Sequence, residues 1–157
     1  MKKEAIKPLA LCVLELQAHE FIHWVIDNQL QLNTVTGEIT QIQDDGQRWT
    51  ICSGIEVSGK EGRFALYPTR NMWNFILLDS YTGRTWQLQY TVDKDSIRGL
   101  FIINEEELAN ANDKNLFYIS PLTSMYQFCL TNDTTGEMWK FQWNTKGNDY
   151  RWIEKIN

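Results

Sequence analysis

Residues 63–104 laid over residues 116–157 align without a gap. Phe64, Pro68, Met72, Phe75, Leu77, Thr82, Gly83, Trp86, Gln89, Arg98, Ile103 and Asn104 meet Phe117, Pro121, Met125, Phe128, Leu130, Thr135, Gly136, Trp139, Gln142, Arg151, Ile156 and Asn157. Trp73 with Tyr126, Asp79 with Asn132, Leu88 with Phe141 and Tyr90 with Trp143 extend the match in kind. A chain that repeats itself at this period is built from copies of one supersecondary unit, each too small to bury its apolar side alone.

Each copy reads as four strands. In the better preserved one these are Arg63–Tyr67, Met72–Asp79, Arg84–Thr91 and Ile97–Ile103, with Pro68 ending the first. Trp86, Leu88 and Tyr90 alternate with Thr85, Gln87 and Gln89, the period of a strand. Trp139, Phe141 and Trp143 alternate likewise with Met138, Lys140 and Gln142. The second strand places Trp73, Phe75 and Leu77 on one face, repeated as Tyr126, Phe128 and Leu130. Ser80-Tyr-Thr-Gly83 is the hairpin between the second and third strands. Gly83 supplies the positive φ and Asp79 the acceptor that such turns use.

An eroded copy lies upstream. Asn33, Thr36, Gly37, Ile42 and Gln43 match Asp79, Thr82, Gly83, Leu88 and Gln89; after a four-residue deletion Arg48 matches Arg98, and a shorter first turn brings Phe21 to Phe64. Leu30 and Leu32 fall in line with Ile76 and Leu78, the opposite face from Phe75 and Leu77, which leaves this copy's register open because a one-residue slip reverses every side chain. The repeats are therefore about 20–60, 63–104 and 116–157 in a single domain of residues 1–157. Residues 105–115 form a polar connector in which Asn104 caps a single helical turn rich in Glu. Three such units predict an all-β fold: three four-stranded antiparallel repeats in a pseudo-threefold, propeller-like ring, with a β-trefoil as the alternative. A dimer completing a larger ring is compatible with the same pattern.

The stretch Leu78-Asp79-Ser-Tyr-Thr-Gly-Arg-Thr-Trp86-Gln-Leu-Gln-Tyr90, preceded by Arg63-Phe-Ala-Leu-Tyr-Pro-Thr-Arg-Asn-Met-Trp-Asn-Phe75, resembles small uncharacterised β-repeat proteins of gut Bacteroidetes that carry D-x-x-T-G-x-x-W-Q-x-Q. The resemblance covers the second and third copies well and the first poorly; it implies β-repeat architecture and no activity. The hairpin also resembles the D-x-x-T-G turn of quinoprotein propellers. The Trp there sits one residue further on and none of their cofactor-binding residues has a counterpart here, so no cofactor is implied.

Composition narrows the function classes. A net charge of −5 without a basic run beyond Lys2-Lys3 argues against nucleic acid and acidic membranes as partners. No apolar run approaches the length of a membrane span. Cys12, Cys52 and Cys129 are odd in number and far apart, the pattern of free, mostly buried thiols. Met1-Lys2-Lys3, an apolar Pro8–Leu14 and Leu16-Gln17-Ala18 weakly resemble an export signal. Glu4 and Glu15 interrupt that pattern and favour the cytoplasm.

No catalytic motif stands out. His19 and His23 lack a third metal ligand at suitable spacing, and Asp44-Asp45 and Glu105–Glu107 are adjacent carboxylates suited to solvent. Asp79, Asn132 and Asn33 precede turns and suit turn capping. The repeated set Gln43, Gln89 and Gln142 with Arg48, Arg98 and Arg151 is the candidate ligand site: amides and guanidinium groups that converge in a pocket bind a carboxylate or a sugar, whereas paired within sheets they are cross-strand glue. Trp73, Tyr81 and Trp152 are the candidate sugar-stacking aromatics. These features predict a non-enzymatic binding or protein-interaction module for a small molecule, a glycan or a protein, including a second copy of itself. A carbohydrate-binding module and an enzyme with a loop-built site are the alternatives.

Overall fold

The computed structural model describes residues 20–25, 28–56, 60–93, 96–112 and 114–157, with side chains from Gln29 onward. It is all-β: three four-stranded antiparallel sheets, each a meander of consecutive strands. The first sheet holds β1 (Glu20–Val25), β2 (Asn28–Asn33), β3 (Ile39–Gln43) and β4 (Arg48–Cys52). The middle sheet holds β5 (Phe64–Pro68), β6 (Asn74–Asp79), β7 (Thr85–Gln89) and β8 (Gly99–Asn104). The third holds β9 (Phe117–Pro121), β10 (Gln127–Asn132), β11 (Met138–Gln142) and β12 (Trp152–Lys155). Strands pair only within their own repeat, which rules out the trefoil alternative, whose barrel joins strands of different repeats.

Two hydrophobic cores organise the three sheets, and the middle sheet belongs to both. Leu30, Leu32 and Ile39 of the first sheet pack with Phe64, Leu66, Phe75, Leu77, Trp86, Leu88 and Tyr90. Ile76, Leu78 and Ile103, from the other face of the middle sheet, pack with Phe117, Ile119, Phe128, Leu130, Trp139, Phe141 and Trp143. Every residue of β6 is buried as a result. No such core joins the first sheet to the third among the described residues, so the sheets do not close into the expected pseudo-threefold ring.

This layering settles the register that the sequence leaves open. Leu30 pairs with Gln41 and Leu32 with Ile39, just as Ile76 pairs with Gln87 and Leu78 with Thr85. There is no slip. Leu30 and Leu32 occupy the face that looks toward the following sheet, as Ile76 and Leu78 do. Among the described side chains the first sheet adds only this forward set to a core, and Gln29, Gln31 and Thr40 stand where the middle sheet has Phe75, Leu77 and Trp86. The third keeps only the backward set, Phe128, Leu130, Trp139 and Phe141, and places Thr131 and Lys140 where the middle sheet has Leu78 and Gln87. Two strand-level matches need correction. Glu20, not Phe21, occupies the pairing position of Phe64, because Glu20 pairs with Asn33 and Phe64 with Asp79. Arg48 pairs with Ile42 as Leu100 pairs with Leu88, so it is the counterpart of Leu100 and not of Arg98.

The junctions between sheets repeat in detail. The amides of Phe64 and Ile55 donate to the carbonyls of Thr34 and Thr36 at 2.9 and 2.7 Å, latching the first D/N-x-x-T-G turn to the middle sheet. One sheet later Phe117 and Leu108 donate to Ser80 and Thr82 at 2.9 and 2.8 Å. The expected helical turn in the 105–115 connector is absent from its described residues. Asn104 instead closes an Asx turn, its Oδ1 accepting from the Glu106 amide at 3.1 Å and its Nδ2 donating to the Gly83 carbonyl at 3.2 Å. Residues 8–18, Cys12 and His19 lie outside the described residues, as does the His23 side chain. Cys52 and Cys129 are free thiols, the second buried.

Gly83 and Gly136 separate two demands on the turn glycine. Their φ angles are 80° and 76°. A Cβ on Gly83 would lie 3.0 Å from both Leu108 and Phe117, whereas one on Gly136 meets nothing within 4 Å. Gly136→Ala is expected to cost about 1–2 kcal/mol, the left-handed penalty alone. Gly83→Ala adds a steric term of about 1–3 kcal/mol. Urea unfolding of the two variants side by side checks the difference.

Candidate functional site

The predicted glutamines and arginines do not converge on one axis. Arg98 reaches back to the preceding sheet: its Nε donates to Gln41 Oε1 at 3.0 Å, its Nη2 to the Thr91 carbonyl at 2.9 Å, and its guanidinium lies 4.6 Å from the Trp49 ring centroid. Arg151 repeats the contact one sheet on. Its Nε donates to Gln87 Oε1 at 2.8 Å, its Nη1 to Asn148 Oδ1 at 2.7 Å, and it lies 4.7 Å from the Phe101 centroid. The acceptor is therefore the glutamine two residues before the predicted one, on the face buried between sheets. Trp49 and Phe101 are the cross-strand partners of Gln41 and Gln87, so amide and ring form one seat for each guanidinium. In the third sheet Lys140 and Glu154 stand at these two positions. Arg48 instead donates to Gln31 Oε1 at 3.0 Å within its own sheet.

Of the predicted glutamines, Gln142 accepts from Gln127 Nε2 at 3.0 Å and donates to the Tyr150 carbonyl at 3.0 Å, while Gln43 reaches the Val92 carbonyl at 3.5 Å. Gln89 lines a cavity described below. The arrangement is a pair of inter-sheet clamps at Arg98 and Arg151, with Arg48 and Gln142 bonded within their own sheets, and not a common pocket. The equivalence of Gln41 and Gln87 under the repeat was the available signal for it.

A second polar cluster sits at the hairpin of the middle sheet. Asp79 caps the turn as expected, accepting from the Tyr81 amide at 3.1 Å and the Thr82 hydroxyl at 2.7 Å. It is also fully buried and ion-paired. Arg63 grips it with Nε and Nη2 at 2.9 and 2.8 Å, and Arg84 Nη2 adds a contact at 2.9 Å. Glu56 completes the network, 2.6 Å from Arg84 Nη2 and 3.4 Å from Arg63 Nη2. Burial alone would raise the Asp79 pKa, but the hydrogen bonds from Arg63, Thr82, Arg84 and the Tyr81 amide outweigh it and hold the carboxyl below its ordinary value. Asn132 and Asn33 cap the other two turns without charge, accepting from the Thr134 and Thr135 and from the Val35 and Thr36 amides. The charged network is a substitution confined to the middle copy, where Leu116 and Glu137 of the third copy are replaced by Arg63 and Arg84.

Two cavities flank the Pro68–Asn74 turn. The larger, about 360 Å³, opens where this turn meets the β9–β10 turn. Tyr67, Pro68, Ile119, Pro121, Leu122, Met125 and Phe128 give it apolar walls; Thr69, Arg70, Ser124 and Gln127 supply polar atoms. Burial raises the Tyr67 pKa, partly offset by a hydrogen bond from the Ile119 amide. Arg70 is exposed and contacts only the Thr123 carbonyl, at 3.4 Å; no carboxylate lies within ion-pair distance of it among the described residues. The smaller cavity, about 260 Å³, is lined by Asn71, Trp73, Asn74, Gln89, Tyr90, Thr91, Ser96 and Thr145. Neither lining includes a carboxylate, histidine or cysteine. The candidate sugar-stacking rings are each engaged on one side: Trp73 tilts against Tyr90 at 5.4 Å, Tyr81 lies 5.5 Å from the Arg63 guanidinium, and Trp152 lies 5.7 Å from Lys140 Nζ. Among the described residues no group of three or more His, Cys, Asp or Glu gathers as a metal site would, and no helix is long and apolar enough to cross a membrane.

No protein-family model matches this chain, and neither a curated protein nor a solved structure is significantly similar to it.

The Asp79 network makes stability depend on acid. A folded-state pKa held below the unfolded value contributes stability that is fully present above about pH 4 and is lost as the pH falls through the folded value. Asp79→Asn is expected to remove that acid limb and to cost about 3–5 kcal/mol at neutral pH, because Arg63 and Arg84 lose their buried counter-ion and share only the partly exposed Glu56. Adding Arg63→Leu, the residue pair used in the third sheet, is expected to recover part of the loss. Denaturant titrations of the three proteins between pH 3 and pH 7 check both points.

Proposed function

We propose that this chain is a non-enzymatic binding module: an open arc of blade-like sheets whose ligand site is the cleft between the Pro68 and Pro121 turns. The observation that carries the reading is one exposed guanidinium, Arg70, without a carboxylate partner among the described residues, at the edge of a cavity of about 360 Å³ with apolar walls. Ligand sites of soluble proteins have this make-up, an apolar cavity of about 300–1,000 Å³ with a few polar groups that set orientation. The ligand it fits is a compact apolar body bearing one carboxylate. The carboxylate faces Arg70, and the body rests on Pro121, Leu122 and Met125.

The turn sequences support this assignment. Pro68 and Pro121 end their edge strands at equivalent places, and the residues between each proline and the following methionine differ, Thr-Arg-Asn in one copy and Leu-Thr-Ser in the other. The stacking core does not dictate these positions. Proline also withholds an amide from the edge, so an added β-strand is a poor occupant here.

The test is an NMR titration with 3-phenylpropionate, using 3-phenylpropanamide as the uncharged control. The carboxylate is expected to shift the Met125 methyl and the Leu122 resonances, with Arg70→Ala weakening binding about tenfold, the size of one charge-assisted hydrogen bond at a partly solvated site. Equal binding of acid and amide, or no shift at these residues, removes the assignment.

A further inference from the structure

The smaller cavity has a different chemistry from the cleft. Apart from Tyr90, its lining carries no ionisable side chain. It combines one indole, Trp73, with amides and hydroxyls from Asn71, Gln89, Ser96 and Thr145. Several of these groups have hydrogen-bonding capacity left over. The Gln89 amide and the Thr145 hydroxyl make no hydrogen bond to the described residues. Asn71 Oδ1 accepts the Trp73 amide at 2.9 Å, which fixes the carboxamide and leaves its NH₂ as a donor.

Tyr90 is the informative member. It is 1% exposed, and its hydroxyl is buried without a hydrogen-bond partner among the described residues. A hydroxyl left unpaired in this way destabilises a fold by about 1–3 kcal/mol. Its repeat counterpart has no such deficit, since Trp143 donates its Nε1–H to the Met125 carbonyl at 3.1 Å. The middle copy thus carries a phenol where the third copy carries a satisfied indole, and it does so beside a cavity walled by polar neutral groups.

We propose that this cavity is a subsite for a neutral polyhydroxylated ring, a single sugar unit. Trp73 offers an aromatic edge to the apolar side of such a ring, and Gln89, Asn71 and Thr145 pair with its hydroxyls. Charged ligands are disfavoured because no ionised group in the lining compensates them. The site is separate from the Arg70 cleft; the Pro68–Asn74 turn contributes Pro68, Thr69 and Arg70 to one and Asn71, Trp73 and Asn74 to the other.

The experiment is an NMR titration of the whole chain with the methyl glycosides of glucose, galactose, mannose and N-acetylglucosamine, following the Trp73 indole N–H and the Gln89 side-chain amide. At least one glycoside is expected to shift both signals saturably. Gln89→Ala is expected to weaken that binding roughly two- to tenfold, the value of a neutral hydrogen bond or two. Thr145→Val keeps the shape of an exposed side chain, removes a lining hydroxyl and serves as the second, folded variant, with a loss of similar size. Arg70→Ala is expected to leave glycoside binding unchanged, so that failure here is distinguishable from failure of the cleft assignment. If no glycoside moves the Trp73 indole, or if binding is unaltered in both Gln89→Ala and Thr145→Val, the proposal is overturned.

Discussion

Burial of the middle sheet on both faces is the constraint from which the rest of the structure follows. Phe75 and Leu77 look one way from β6, Ile76 and Leu78 the other, and all four are at most 1% exposed. Each such side chain is worth about 1.5–3 kcal/mol when taken out of water. A lone four-stranded meander exposes one or both of these sets. Among the described residues neither flanking sheet builds a second core on its other face, so each depends on the middle one, and the middle one depends on both. This mutual dependence is the one-dimensional logic of stacked repeats, in which end units carry a polar outer face. Gln29, Gln31 and Thr40 at one end and Thr131 and Lys140 at the other are polar residues at the corresponding positions.

The apolar cores alone would allow neighbouring sheets to slide, because aliphatic and aromatic contact is not directional. The polar groups between sheets remove that freedom. Gln41 and Gln87 are fully buried, and a buried amide must find partners or lose its solvation. Each finds a guanidinium from the next sheet, at one geometry only. The turn latches act in the same way, since Thr34 and Thr36, or Ser80 and Thr82, present carbonyls that only a sheet in correct register can meet. Asp79 extends the principle to a charge. Its two arginines and the Thr82 hydroxyl meet both carboxylate oxygens, while Asn33 and Asn132 show that the turn itself needs no charge.

Much of this was legible in the sequence because repeats expose periodicity twice. The strands of the middle copy, the D-x-x-T-G hairpin and the alternation of Trp86, Leu88 and Tyr90 all fall where the pattern places them. What the pattern could not reveal is which face meets which sheet. The polar series Thr85 and Gln87 reads as a solvent face by composition, yet both residues are fully buried: the Gln87 oxygen is met by Arg151 of the next repeat, while the Thr85 hydroxyl has no hydrogen-bond partner among the described residues. The same cause misplaced the candidate site. Arg98 and Arg151 recur visibly, but the glutamines they grip belong to the preceding copy, and alignment within a copy points to Gln89 and Gln142 instead. Arg48 looked like a third member only because a deletion let it align. Its pairing with Ile42 sets it at a core position of a sheet that has nothing behind it among the described residues.

The division of labour between faces and turns decides where ligand chemistry can reside. Positions that recur between copies are consumed by stacking: the turn glycines at the junctions meet Phe64 and Phe117, the clamping arginines meet Gln41 and Gln87, and the aromatic faces fill the two cores. A substitution at any of them disturbs a contact on which two sheets rely. Apart from Met72 and Trp73, which pack against the first core, the segments after Pro68 and after Pro121 carry no such duty. They end edge strands, differ between copies, and bracket the two cavities. Among their differences, Arg70 against Thr123 exchanges a cation for a hydroxyl and Trp73 against Tyr126 an indole for a phenol. Variation confined to residues that the fold does not need is what a scaffold leaves available for recognition, and here it gathers on one turn of the sheet that is held most firmly.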